Sequence, residues 1–203
     1  MFIEQPPWFY RALFPGATWR IPSEERCVYL TFDDGPIPEV TPWVLDTLDT
    51  YGVKATFFMV GDNVRKHPDV FRLVVERGHA VGNHTFNHIQ GIRYRTRNYV
   101  ANVDKAGLLI PGSLFRPPHG HMRLAQVFRL RKSHRIVMWD VVTRDYSPHL
   151  SPQQVLENVK RYTRNGSILV FHDSLKAERN MRWAMPRAIE WLLEQGYQFK
   201  RIE

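Results

Sequence analysis

The chain has 203 residues, 43% apolar and 24% charged, which suits one folded domain with a proper core and excludes a disordered chain. Its formal net charge of +8 fits either a solvated basic surface or an anionic partner. Cys27 is its one cysteine, so an intrachain disulfide and a thiolate-built zinc site are both excluded.

The first segment is rich in aromatics and prolines (Pro6, Pro7, Trp8, Phe9, Tyr10, Phe14, Trp19). It reads as an extended arm, residues 1–24, packed on a domain that spans 25–203, or as an interfacial patch. It has no basic stretch followed by an apolar one, and no run nears the roughly 18 apolar residues of a spanning helix. A cytoplasmic chain is therefore expected. Residues 28–32 (VYLTF) predict the first strand. Thr41 then reads as N-cap and Pro42 as first residue of a helix to about 51, ended by Gly52. Residues 55–60 (ATFFMV) predict a strand buried on both faces. A helix over 67–77, closed by Gly78, leads to a short strand over 79–82. A helix over 98–109 is broken by Pro111 and Gly112. Next come a strand over 114–116, a helix over 124–132 and a strand over 136–139. Ser151 and Gln154 form a capping box for a helix reaching about 163. A strand over 167–171, a helix over 185–195 and a strand over 198–202 complete the chain. About seven strands alternating with helices predict a parallel α/β sheet that could close imperfectly into a barrel.

The candidate chemical residues all follow strands, where the loops of barrels and open α/β sheets build active sites. Asp33 and Asp34 end the first strand, and extended geometry would point them apart into different roles. His84 and His88 are four apart, which in a helix places both on one face. His172 ends an apolar strand and suits proton transfer, and Asp173 beside it could cap the loop. Arg116 opens the run Arg116-Pro117-Pro118-His119-Gly120 and can grip a carboxylate in a bidentate pair. The stiff prolines can aim a backbone N–H as an oxyanion hole requires. Each piece alone reads equally well as an ordinary turn, core histidine or loop. Together, one carboxylate and two imidazoles form a set that binds a divalent metal with positions left open.

In order, Thr-Phe-Asp-Asp-Gly-Pro, His-x-x-x-His, Arg-x-Pro-x-Gly, an Asp followed by an aromatic, and a strand ending in His resemble the motifs of the polysaccharide deacetylases of carbohydrate esterase family 4, the NodB-homology domain. The resemblance implies a distorted (β/α)7 barrel and metal-dependent removal of acetyl groups, chiefly N-acetyl, from an amino sugar. It implies Asp34, His84 and His88 as metal ligands, Asp33 as base and His172 as the acid for the leaving amine. Arg116 would hold Asp33, and Asp145 would tune a catalytic neighbour. His119, Gly120, Tyr146 and Val170 would border the substrate, with the His119 N–H toward the oxyanion. Three positions depart from the family pattern: His119 replaces the usual Tyr, Val142 stands where a first Asp is common, and Tyr146 replaces Trp.

Zinc leads the expected metals, with cobalt, nickel and iron also suited. The expected partner is an acetylated amino-sugar glycan, either polymeric or anionic and lipid-linked. The aromatic arm and the positive charge would suit contact with a membrane surface, whereas no nucleic-acid motif is present. The competing readings are a non-catalytic carbohydrate-binding protein on the same scaffold, and a deformylase or related amide hydrolase.

Overall fold

The computed structural model describes residues 4–203; Met1, Phe2 and Ile3 of the expected arm lie outside the described residues. Eight parallel strands form one curled sheet, with helices packed around it: β1 (Cys27–Asp33), β2 (Thr56–Met59), β3 (Ala80–Asn83), β4 (Leu114–Phe115), β5 (Arg135–Ile136), β6 (Val141–Val142), β7 (Ser167–His172) and β8 (Gln198–Phe199). The order is β5-β4-β3-β2-β1-β7-β6. β8 pairs with Cys27 and Val28, before β2 begins to pair at Thr31. This is the expected incomplete α/β barrel. β1 and β2 are buried along their whole length, as continuous apolar strands in a covered parallel sheet should be.

The helices are α1 (Trp8–Ala12), α2 (Thr41–Thr50), α3 (Gly61–Lys66), α4 (Pro68–Glu76), α5 (Thr96–Gly107), α6 (Leu124–Leu130), α7 (Pro152–Tyr162) and α8 (Glu178–Glu194). The Ser151–Gln154 capping box is present at α7. Four features differ from expectation. The helix expected over 67–77 is α4, but an additional helix, α3, precedes it, and Pro68 separates the two because it can open a helix but cannot continue one. α8 starts seven residues before the predicted 185; Pro186 lies inside it, and the packing of Met181, Ala184 and Met185 against the core holds the helix through it. β6 was not foreseen, since two residues carry no periodic signal. Thr41 is the first residue of α2 rather than its cap: its hydroxyl donates to Asp173 Oδ2 at 2.6 Å.

β5 and β6 are the sheet's two free edges, and the N-terminal segment bridges them. Thr18 pairs with Val137 beyond β5, Arg20 with Ser167 at the base of β7, and the Glu4 carbonyl accepts from Val142 N on β6. A buried carboxylate anchors this strap: Asp140 binds Arg11 at 2.7 Å, Arg164 at 2.8 Å and the Ser167 hydroxyl at 2.8 Å. Of the arm's aromatics, Tyr10, Phe14 and Trp19 pack inward with Val127, Leu130 and Met138; Trp8 and Phe9 face out. The arm therefore contains a short helix and is not extended throughout. Among the described residues, no helix is long and apolar enough to cross a membrane.

Candidate active site

At the C-terminal end of the sheet lies a cavity of about 510 Å³ bordered by Asp33, Asp34, His84, His88, His119, Tyr146, Val170 and His172. All but Val170, which lies within β7, end a strand or sit in the loop that follows one, as parallel topology directs. The fold thus gathers pieces separated by up to 139 positions, from Asp33 to His172, into one site. Gly120 follows His119, and Arg116 and Asp145 are buried behind the lining, on Asp33 and His172.

Asp34, His84 and His88 offer ligand atoms that all lie within 4.8 Å of one another. Asp34 Oδ1 is 3.1 Å from His88 Nε2 and 3.7 Å from His84 Nε2. Two features differ from expectation. Asp34 is not on extended backbone: its φ of 85° is left-handed, a region that Asp enters more readily than most residues. That twist, not strand alternation, separates its side chain from that of Asp33. Residues His84 to His88 form a loop rather than a helix, with Thr85 and His88 also left-handed. The Asn83 side chain fixes this loop by accepting from Thr85 N at 2.8 Å and donating to the Val103 carbonyl.

The set fits a divalent metal. His84 Nδ1 lies 2.8 Å from the Arg116 carbonyl, an acceptor only, so the proton sits on Nδ1 and Nε2 keeps its lone pair. Burial pushes the His84 pKa down to about 4, which favours the neutral, ligating form. Burial alone would raise the Asp34 carboxyl; His88, His172 and His84 together hold it well below the usual carboxylate range.

Asp33 points elsewhere. Its Oδ1 accepts from Arg116 Nη1 at 2.6 Å, and its Oδ2 is 4.0 Å from His84 Nε2. Arg116 is fully buried. It also donates to Thr31 Oγ1 and to the carbonyls of Val137 and Met138, and it lies over the Phe58 ring. The expected bidentate pair is therefore not formed: Nη1 serves both the carboxylate and Thr31 Oγ1 on β1, and Nε and Nη2 donate to the Val137 and Met138 carbonyls just beyond β5.

Opposite the metal set, Asp145 accepts from the His172 backbone N and faces His172 Nδ1, each at 2.8 Å. Burial opposes the imidazolium, but Asp145, with Asp34 and Asp33 beyond it, raises His172 to about 9. Tyr146 meets the His172 ring edge-on at 4.8 Å. Asp173 braces the loop from behind, accepting from Gly35 N and Thr41 Oγ1. Burial and the nearby Asp34 push its pKa up to about 8. Residues not anticipated also face the cavity: Pro6 and Tyr10 from the arm, Trp139, and Lys176, whose ammonium lies 5.3 Å from the Tyr146 ring centroid. No local pattern in the sequence marks these side chains, because only tertiary packing brings them to the site.

The sequence model of the polysaccharide deacetylase family matches residues 20–136. A peptidoglycan-N-acetylglucosamine deacetylase of Bacillus cereus is 32% identical over 91% of this chain and 90% of its own length. The peptidoglycan-N-acetylglucosamine deacetylase PgdA of Listeria monocytogenes is 33% identical over 87% of this chain, which spans 38% of that protein. Among solved structures, the Bc1960 peptidoglycan N-acetylglucosamine deacetylase superposes with a TM-score of 0.85 at 28% identity, covering 97% of this chain and 95% of that one.

Proposed function

Because the chain belongs to the polysaccharide deacetylase family, we propose that residues 25–203 form a catalytic domain that hydrolyses N-acetyl groups on an amino-sugar glycan of the peptidoglycan or chitin type, with residues 1–24 as an arm. The observation that carries this reading is the pairing of a three-ligand metal set with a separate carboxylate and a separately charged histidine in one cavity.

In this reading Asp34, His84 and His88 hold the metal, with zinc first on the strength of two imidazoles and one carboxylate. A divalent ion held there supplies Lewis acidity, making water more acidic and polarising the acetyl oxygen. Asp33 takes the proton from the attacking water. Arg116 holds one of its oxygens and turns the second toward the site. The water oxygen bonds to the acetyl carbon as the carbonyl π bond opens to an oxyanion, and the carbon–nitrogen bond then breaks as the carbonyl re-forms. His172, held at Nδ1 by Asp145, presents Nε2 and gives its proton to the departing amine, so acetate and a free amino sugar result. The N–H of His119 has no backbone partner among the described residues and is free to meet the developing oxyanion. Gly120, Tyr146 and Val170 shape the surrounding wall, and Lys176 would favour an anionic substituent on the sugar.

The test is acetate release from N-acetylchitooligosaccharides and from peptidoglycan, with zinc or cobalt added, by wild type and Asp33→Asn. The wild type should release acetate, and the variant should be slower by about 10²–10⁴-fold with metal retained. Equal rates would refute the mechanism. A metal-loaded wild type that releases no acetate from any acetylated glycan would favour the binding-protein reading.

A further inference from the structure

The loop expected to supply the oxyanion donor has an uncommon backbone. His119 and Gly120 are both left-handed, with φ of 59° and 69°. Glycine adopts this freely, and histidine enters the region more readily than most residues but less readily than glycine, so contacts around the loop bear on holding it. Gly120 N and His121 N close the turn on the Pro117 and Pro118 carbonyls, and three further contacts hold it from around. Trp139 packs against Gly120 so closely that a Cβ there would fall 2.4 Å from the indole. Gly91 N donates to the His121 carbonyl at 3.0 Å. The third contact comes from outside the barrel: the Tyr10 hydroxyl donates to the Gly120 carbonyl at 2.9 Å.

Tyr10 reaches this loop from α1, ahead of the segment that matches the family model. Its ring is fixed against Phe14 and Trp19, at 5.4 and 5.9 Å between centroids. Its neighbour Arg11 is anchored on the buried Asp140. The phenol therefore comes from a rigid support, and it also borders the catalytic cavity. We propose that Tyr10 is a positioning residue of the deacetylase site, holding the His119–Gly120 backbone so that the His119 N–H faces the acetyl oxygen in the transition state. This rests on the deacetylase reading above. It makes the arm part of the active site and not only a strap across the open seam of the sheet.

Tyr10→Phe removes the hydroxyl and keeps the ring in its aromatic cluster. With the full chain loaded with zinc and a soluble N-acetylchitooligosaccharide, kcat should fall about tenfold while KM stays within about twofold. Affinity for a methylphosphonamidate analogue, whose oxygens imitate the oxyanion, should fall by the same factor as kcat/KM. Zinc stoichiometry and Tm should stay near wild type. Unchanged kcat and analogue affinity in the variant would overturn the proposal. So would a loss of activity accompanied by a matching loss of Tm or zinc, which would mark Tyr10 as packing alone. An inactive wild type would overturn the deacetylase reading and this inference with it, whereas an active wild type matched by Tyr10→Phe overturns only the inference.

Discussion

Replacing Asp145 by Asn should move the alkaline limb of the pH–rate profile. His172 is raised to about 9 from its ordinary 6.5: burial disfavours the imidazolium, and Asp145, 2.8 Å from Nδ1, with Asp34 and Asp33 beyond it, more than offsets that. That displacement corresponds to about 3 kcal/mol favouring the protonated ring. The Asp145→Asn change would keep the shape and an acceptor oxygen but remove the charge, while burial would remain. The His172 pKa should then fall toward 6.5, with only Asp34 and Asp33 still raising it. At pH 7.5 the wild-type ring is almost wholly protonated, and a ring at 6.5 is only about one-tenth protonated. Activity at that pH should fall by up to about tenfold, with much of it recovered near pH 6. The assay is kcat/KM for acetate release from pH 5.5 to 10, with zinc occupancy checked at each end. Stability should follow the same linkage. Because the folded pKa is raised, the stabilisation is fully present below pH 6.5 and lost as pH rises through about 9. The Tm gap between wild type and variant should therefore close above pH 9. An alkaline limb that stays near pH 9 in the variant would refute His172 as the proton donor governed by Asp145.

Arg116→Met should destabilise the fold by about 3–5 kcal/mol in urea titration, because it leaves the buried Asp33 without its cation; a loss below about 1 kcal/mol would contradict the buried pair. Gly35→Ala would place a Cβ 2.0 Å from Asp173 Oδ2, so about 1–3 kcal/mol of stability should be lost, together with weaker metal binding as Asp34 shifts. His84→Ala should weaken zinc binding by more than about a hundredfold in competition titrations, beyond the 10–100-fold typical of losing a residue that only supports a ligand. Chelator-stripped wild type should regain activity on adding zinc, and the His84→Ala protein should not.

Much of the site was legible because its residues follow strands. Apolar runs ending in Asp33 or His172 announce both a buried strand and an emergent polar residue, so the layer of the site could be read directly. The strand pattern likewise predicted a parallel α/β sheet. What failed were local conformations. The four-residue spacing of His84 and His88 has a helical form, yet left-handed residues at 85 and 88 make it a loop. Thr41 has the form of a cap, yet its hydroxyl is claimed by Asp173, distant in sequence. Arg116 has a fork suited to two carboxylate oxygens, yet strand-end carbonyls and Thr31 take part of it.

The chemistry on offer is written in the residues themselves: two adjacent carboxylates, two spaced imidazoles and a histidine at a strand end, on an alternating α/β frame. Side-chain type and the two-residue period of a strand are local properties, so they survive without coordinates. Which of these atoms meet is a property of the folded chain alone. The Arg116 carbonyl selects the His84 tautomer, the Arg116 guanidinium holds Asp33, and Asp145 favours the charged form of His172. The fold alone brought Tyr10 from the arm to the Gly120 carbonyl. These are contacts between residues far apart in the chain, set by how the sheet curls and how its seam is closed, and no local pattern encodes them.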